Sequence, residues 1–260
     1  MKLVHFSDVH VQLPRWRERS LGELGPLRAL ATVELWKGRG REYDRALDAL
    51  RRIAALEADH FVCTGDLTQL GHPEEFALAR EALAPLRGKL TLIHGNHDRY
   101  PIAGKPNRLF EENFGVQPEV TLLGDDLALI SVDSCGDISW PVISKGRVRQ
   151  AELDALARSL ETHRDRCKLV LVHHAPTRRG GKQDWPWHDL RGAIRFLRVC
   201  ADGGANAVLC GHIHDRFDDP PAPGRPRVIC AGSSTQLGEE GYWLLDVTRG
   251  RLTSVEQKRL

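Results

Sequence analysis

Several features that would quickly narrow the reading of this sequence are missing from it. No apolar stretch approaches the roughly 20 residues that a membrane-spanning helix needs. The opening run Met1-Lys2-Leu3-Val4-His5-Phe6-Ser7 is too short before Asp8 to be the core of a secretory leader. No charge of one sign dominates: 37 basic and 35 acidic side chains leave a formal net charge of +2, without the field of a dedicated nucleic-acid binder. The six cysteines, Cys63, Cys135, Cys167, Cys200, Cys210 and Cys230, form no C-x-x-C pair and lie in or beside apolar runs. That is the pattern of reduced packing residues in a cytosolic protein. Linkers and breaks in composition are also lacking. The expectation is therefore one globular domain over residues 1–260, cytoplasmic, with surface attachment to a membrane left open.

What the sequence does contain is a series of apolar runs that end in polar, chemically capable residues. A strand over 3–7 ends at Asp8-Val9-His10, where the period of two along an extended chain puts both polar side chains on one side. A helix carrying Leu47, Leu50, Ile53 and Ala54 leads to a strand over 60–64, which stops at Gly65-Asp66. A second helix starts at Pro73, with Glu74 and Glu75 in its first turn, and runs to Leu86. The strand over 89–94 follows and breaks at Gly95-Asn96-His97-Asp98. Alternation of this kind predicts a parallel sheet with functional residues at the carboxyl ends of its strands.

The second half carries more antiparallel character. Residues 120–123 and 127–132 flank Gly124-Asp125-Asp126 as a hairpin. A helix with Leu153, Leu156 and Leu160 on one face leads to a strand over 168–172 that runs into His173-His174. A helix from about His188 to Ala201 precedes a strand over 205–210, which ends in Gly211-His212-Ile213-His214. Strands over 228–231, 242–247 and 252–255 are expected to form a meander closing a second sheet. The fold class is α/β with mixed, partly α+β, sheets.

Residues 14–42 stand apart. Leu21, Leu24, Leu27, Leu30 and Val33 recur every three residues between Trp16 and Trp36, with a basic excess. They read as a basic amphipathic helical insertion, divided near Gly25-Pro26. Two roles stay open for it: packing on the domain, or meeting lipid or an apolar substrate.

Five strands thus end in Asp8/His10, Asp66, Asn96/His97, His173/His174 and His212/His214. One such end would be a polar turn at a sheet edge, but five with the same donor chemistry point to a metal site. Mixed oxygen and nitrogen donors suit Mn, Fe or Zn better than Ca. The donors exceed what one ion takes, so the pattern predicts two ions roughly 3.5–4 Å apart with an aspartate between them.

In this order, Asp8-Val9-His10, Gly65-Asp66, Gly95-Asn96-His97-Asp98, His173-His174-Ala175-Pro176 and Gly211-His212-Ile213-His214 resemble the motifs of the calcineurin-like metallophosphoesterase superfamily, over about residues 3–235. The resemblance implies a four-layer αββα sandwich of two facing sheets with helices outside. It implies a first ion on Asp8, His10 and His214, a second on Asn96, His173 and His212, and Asp66 bridging them. The family's His-x-Pro pattern would favour His174, whereas strand alternation favours His173, which is adopted here. His97 would stabilise the transition state or protonate the leaving oxygen, with Asp98 orienting it.

The resemblance further implies a phosphodiesterase working by attack of a metal-bridging hydroxide on a small phosphodiester or nucleotide-type substrate. Arg178 and Arg179 could contact its phosphate, and Trp185 and Trp187 could stack on a base or cover a lipid chain. The same loop reads equally as a basic surface loop pinned by buried tryptophans. Arg147 and Trp140 are weaker candidates for the same rim. The insertion at 14–42 is similar to that of bacterial enzymes cleaving the pyrophosphate of UDP-diacylglucosamine, so a membrane-associated pyrophosphatase is the alternative. A non-catalytic metal-binding scaffold is a third reading, opposed by the filled ligand positions. Metal identity and oligomeric state are not specified by the sequence.

Overall fold

Strands β1 (Lys2–Phe6), β2 (His60–Cys63), β3 (Leu90–Leu92), β12 (Gly241–Thr248) and β13 (Arg251–Arg259) form a five-stranded sheet ordered β13-β12-β1-β2-β3 in the computed structural model. The structure describes residues 1–13, 43–100, 107–136 and 144–260; the expected insertion at 14–42 and Trp140 lie outside the described residues. The first three strands are mutually parallel, while β12 runs antiparallel to both β1 and β13. A six-stranded sheet contains β4 (Val120–Leu123), β5 (Leu127–Val132), β7 (Cys167–His174), β9 (Ala207–Gly211), β10 (Arg216–Asp219) and β11 (Arg227–Ala231), ordered β10-β11-β9-β7-β5-β4. Its four central strands are parallel and its two edge strands antiparallel to their neighbours. Strands β6 (Gly146–Arg147) and β8 (Leu190–Arg191) pair as a small parallel sheet.

Alternation along each strand sorts the side chains into layers. Leu3, Val62, Leu129, Leu169, Leu171, Leu209, Ile229, Trp243 and Leu245 from both sheets meet in one shared core. Their neighbours point outward: Val4, Phe6 and Phe61 receive Leu50 and Ile53 of α1 (Ala46–Ala54), Phe76 and Ala79 of α2 (Pro73–Leu83) and Phe110 of α3 (Leu109–Phe114). On the far side, Ile130, Val170, Val172 and Val208 receive Leu153, Leu156 and Leu160 of α4 (Gln150–Thr162) and Phe196 and Leu197 of α5 (Ala193–Asp202). The result is the expected helix–sheet–sheet–helix order. Burying each large side chain contributes about 1.5–3 kcal/mol. Helix α2 begins as expected at Pro73, closed by a capping box in which His72 accepts from the Glu74 N–H and the Glu75 carboxylate accepts from the His72 N–H.

Several expectations are corrected. Residues 228–231 do not join 242–247 in a meander, because β11 pairs with β9 in the second sheet and β12 pairs with β1 in the first. Strand β11 is buried on both faces and β12 alternates between buried and half-buried positions, and neither pattern carries a mark of which sheet will take the strand. The second half does carry the antiparallel pairs, β4–β5, β10–β11, β12–β13 and β12–β1, beside a parallel run β5-β7-β9-β11. Helix α5 starts at Ala193 and not near His188, after Gly192 at φ 94° turns the chain out of β8. Strand β3 ends at Leu92, two residues short of His94. Among the described residues no helix is long and apolar enough to cross a membrane.

Candidate metal centre

The carboxyl ends of β1, β2 and β3 from one sheet and of β7 and β9 from the other open toward a common edge. The loops leaving them turn tightly. Asp8, His10, Asp66, His212 and His214 adopt φ of 50°, 53°, 52°, 72° and 53°, the left-handed region that non-glycine residues usually avoid. Each such conformation costs about 1–3 kcal/mol, and neighbouring loops hold it in place. The Asp8 N–H donates to Gly65 O at 2.9 Å, that of His10 to Asp66 O at 3.0 Å and that of Val11 to Leu67 O at 2.9 Å. Glycine would adopt these angles without strain, but it would carry no donor atom.

Two donor groups result, with Asp66 reaching both. In the first, His214 Nε2 lies 3.1 Å from His10 Nε2 and 3.3 Å from Asp8 Oδ1. In the second, His173 Nε2 lies 3.3 Å from Asp66 Oδ2 and 3.1 Å from Asn96 Oδ1, which is itself 3.1 Å from His212 Nδ1. Asp66 Oδ2 is also 4.0 Å from His10 Nε2 and 4.0 Å from His97 Nε2.

The outer nitrogen of most of these rings is already engaged. His173 Nδ1 donates to Thr64 O at 2.8 Å, His97 Nδ1 to Gln69 O at 2.7 Å and His212 Nε2 to His188 O at 3.2 Å, while His214 Nδ1 meets Tyr43 Oη at 3.0 Å. The bonds to backbone carbonyls anchor Nδ1 of His173 and His97 and Nε2 of His212, so that the other nitrogen of each ring faces the centre. Imidazole nitrogens, an amide oxygen and buried carboxylates drawn to 3.1–3.3 Å of one another are the donor chemistry of a metal site, so the set fits metal ions. Electrostatics agree. Burial would push the Asp66 carboxyl up, but His173, His97 and His10 outweigh it and hold the group well below the usual carboxylate range. Burial would lower His173, but Asp66 brings it up to about 9, a proton beside the carboxylate that a bound cation would displace. Burial first, and neighbouring imidazoles second, push His10 and His212 well below the ordinary imidazole value, leaving them neutral and able to ligate.

Residues 1–216 match the family model described as Calcineurin-like phosphoesterase. The chain belongs to this family. It is 28% identical over 193 residues to the 3',5'-cyclic adenosine monophosphate phosphodiesterase CpdA of Escherichia coli K12, covering 73% of this chain and 65% of the relative. It is 30% identical over 160 residues to the glycerophosphodiester phosphodiesterase GpdQ of Enterobacter lignolyticus, covering 60% of this chain and 56% of the relative. In both cases the match spans less than two thirds of the relative's length. Among solved structures, a dimetal phosphatase from Danio rerio superposes with a TM-score of 0.64 at 11% identity, covering 99% of both chains. A purple acid phosphatase from yellow lupin gives 0.60 at 13% identity, covering 94% of this chain and 48% of that one. At such identities the likeness is one of fold. The calcineurin-like phosphoesterase fold and the clustered His and Asp donors together imply divalent metal ions.

In this member of the family, Asp8, His10, Asp66, Asn96, His173, His212 and His214 all converge, with His97 beside them. His174 stays outside the donor groups: its Nδ1 meets Ser134 Oγ at 2.8 Å and its ring packs on that of His212, with centroids 4.3 Å apart. Asp98 departs from expectation, because it does not orient His97. Its carboxylate accepts from the backbone N–H of Leu67, Thr68 and Gly95 and from Thr68 Oγ1, tying the β2 and β3 loops together, while Gln69 O holds the His97 ring. Arg178 is paired through Nε with Asp184 at 2.6 Å and Arg179 with Asp215 at 2.6 Å. Trp185 and Trp187 are not buried anchors: they are 60% and 63% exposed and stack on each other with ring centroids 5.9 Å apart. Arg147 is exposed in β6. Sequence reasoning missed Tyr43, and it named His188 only as part of the loop after the His173-His174 strand, without its partners. The His188 ring stacks on His212 at 4.0 Å and is held by Asp184 at 2.7 Å. Neither residue belongs to a repeated pattern, so only the fold reveals it.

Proposed function

We propose that this chain is a metal-dependent phosphodiesterase with a two-ion centre of Mn, Fe or Zn. Asp8, His10 and His214 would hold one ion, Asn96, His173 and His212 the other, and Asp66 both. The observation that carries this reading is Asp66 Oδ2, which lies 3.3 Å from His173 Nε2 in one donor group and 4.0 Å from His10 Nε2 in the other. Such ions supply Lewis acidity toward phosphoryl oxygens and a water acidic enough to ionise near neutrality.

The protein's own part is orientation and proton handling. His97 is anchored through Nδ1 to Gln69 O at 2.7 Å, so Nε2 is the atom through which it would take up a proton and pass it to the leaving oxygen. Asp98 acts as a positioning residue through the Gly95 and Leu67 backbones. The stacked, exposed Trp185 and Trp187 are suited to receive the planar or apolar part of a small phosphodiester. The names of the relatives, cyclic-nucleotide and glycerophosphodiester phosphodiesterases, support a substrate of that size and lend none to a nucleotide-lipid pyrophosphatase. We also read residues 1–260 as one cytoplasmic domain built on the core shared by both sheets, with 14–42 inserted in it and available for peripheral membrane contact.

The test is turnover by metal-reconstituted protein of bis(p-nitrophenyl) phosphate, a cyclic nucleotide and a glycerophosphodiester. His97→Ala should lower kcat by about 10²–10⁴-fold with metal content unchanged. Protein that binds two ions per chain and hydrolyses no diester would overturn the proposal.

A further inference from the structure

His94, directly before the Gly95-Asn96-His97 turn, is used by nothing described so far. It belongs to a separate donor group: one ligand atom each of His94, Asp133 and Cys135 lies within 4.8 Å of the others. The three residues come from two loops, one leaving β3 in the first sheet and one leaving β5 in the second. His94 Nε2 is 3.9 Å from Asp133 Oδ1, and Cys135 Sγ is 3.7 Å from His94 O. The histidine and the cysteine are each 5% exposed.

Two features set this group apart from a chance encounter. The His94 ring has no hydrogen bond at either nitrogen among the described residues: Nδ1 is buried without a partner and Nε2 stands 3.9 Å from Asp133 Oδ1, although imidazoles at this depth normally satisfy their polar atoms. The aspartate is pre-set: Asp133 Oδ1 accepts from the Cys135 and Gly136 backbone N–H groups at 2.8 and 3.0 Å, which fixes the carboxylate beside the thiol. A cavity of about 310 Å³ lined by His94 and Asp133 gives a way in from solvent.

We propose that His94, Asp133 and Cys135 form a second, separate metal site, of the kind that takes a zinc-like divalent cation with a water as fourth ligand. Sulfur, imidazole nitrogen and carboxylate oxygen form a donor set typical of tetrahedral zinc. With metal–ligand bonds of 2.0–2.3 Å, tetrahedral donors sit roughly 3.3–3.8 Å apart, so the 3.9 Å between His94 and Asp133 needs only a small adjustment. Burial, with Asp133 beside it, holds the Cys135 thiol well above its usual range, so the cation must displace the proton, which leaves to solvent as the sulfur–metal bond forms, and uptake strengthens as pH rises. Thiolate and carboxylate together then neutralise the dication. Such an ion would clamp the loop carrying Asn96 and His97 to the second sheet, making the site a positioning device.

The donor groups of the two-ion centre contain no sulfur, which makes the proposal testable by itself. Reconstituted with cobalt(II), the full-length protein should show a near-ultraviolet sulfur-to-cobalt charge-transfer band that saturates at one equivalent. Cys135→Ser should abolish the band and lower bound cobalt by one per chain, with the other five cysteines still present. Asp133→Asn, which keeps the turn's backbone acceptor, should weaken uptake at this site by more than about tenfold. Asp66→Ala should empty the two-ion centre and leave the band, so failure of either reading shows separately. Wild-type protein with a filled centre and no charge-transfer band, or a band that survives Cys135→Ser, would overturn the proposal. Should Cys135→Ser lose its native circular dichroism, the wild-type spectrum and Asp133→Asn still decide.

Discussion

Two glycines decide whether the centre can form. A Cβ on Gly95 would overlap the Asp66 carboxylate and backbone, and one on Gly211 would overlap the side chains of Ser7 and Asp8. Space and not backbone freedom is at stake, since neither residue needs a positive φ. Gly95→Ala should therefore displace Asp66, cut diester hydrolysis more than about 100-fold and cost about 1–3 kcal/mol of stability. Metal analysis beside a thermal melt checks this, and a variant that keeps a full complement of ions would refute it. At this scale the sequence reads well wherever a donor sits in a repeated setting, an apolar run followed by Gly and then Asp, Asn or His. Strand parity also separates the paired histidines, sending His173 toward Asp66 and His174 toward Ser134. The outer partners are not legible. Thr64 and Gln69 act through backbone carbonyls that every residue carries, and Tyr43 and His188 arrive from distant parts of the chain.

Among the elements, α2 carries its own pH dependence. Glu75 closes its capping box from a fully buried position, where it accepts from the Leu70 and His72 N–H groups, and burial pushes its carboxyl up to about 8. The folded protein thus holds a proton that the unfolded chain releases near the ordinary glutamate value of about 4.3. The Glu75 contribution is complete below that value and is lost as pH rises through about 8. Urea melts of wild type and Glu75→Gln from pH 5 to pH 8 should show wild type losing about 1–4 kcal/mol relative to the variant. Parallel curves would contradict the assignment. The long elements were readable because several turns of apolar spacing accumulate in each, as in α4 with Leu153, Leu156 and Leu160. The two-residue strands β6 and β8 and the four-residue β10 are too short to build a period, and α3 spans six residues after a stretch with no cap signal.

For the molecule as a whole, the centre is where the two sheets are joined at one edge. Asp8, His10, Asp66 and Asn96 come from loops of the five-stranded sheet, and His173, His212 and His214 from the six-stranded one. That partition is what the sequence hides. Both sheets use strands buried on both faces, and the chain passes from β11 to β12 between sheets through Ser233, Ser234 and Thr235, whose hydroxyls bond to Asp8 O, the Ser7 N–H and Val9 O. No local pattern marks such a passage, so the order of sheets emerges only from packing. Cations bound across this edge would act as a staple that only the folded chain can hold. At a free-ion concentration 100 times Kd, one such ion stabilises by about 2.7 kcal/mol, or about 5–10 °C in Tm for a chain of this size. Chelation should therefore lower Tm by at least that much and restore fast hydrogen exchange at the Asp8, His10 and Val11 amides, which bond across to the β2 loop. Asp66→Ala should melt at the chelated temperature whether or not metal is present. A melt of the wild-type protein that ignores chelator would mean that the core between Leu3, Val62, Leu169 and Leu209 holds the sheets together unaided and that no cation bridges them.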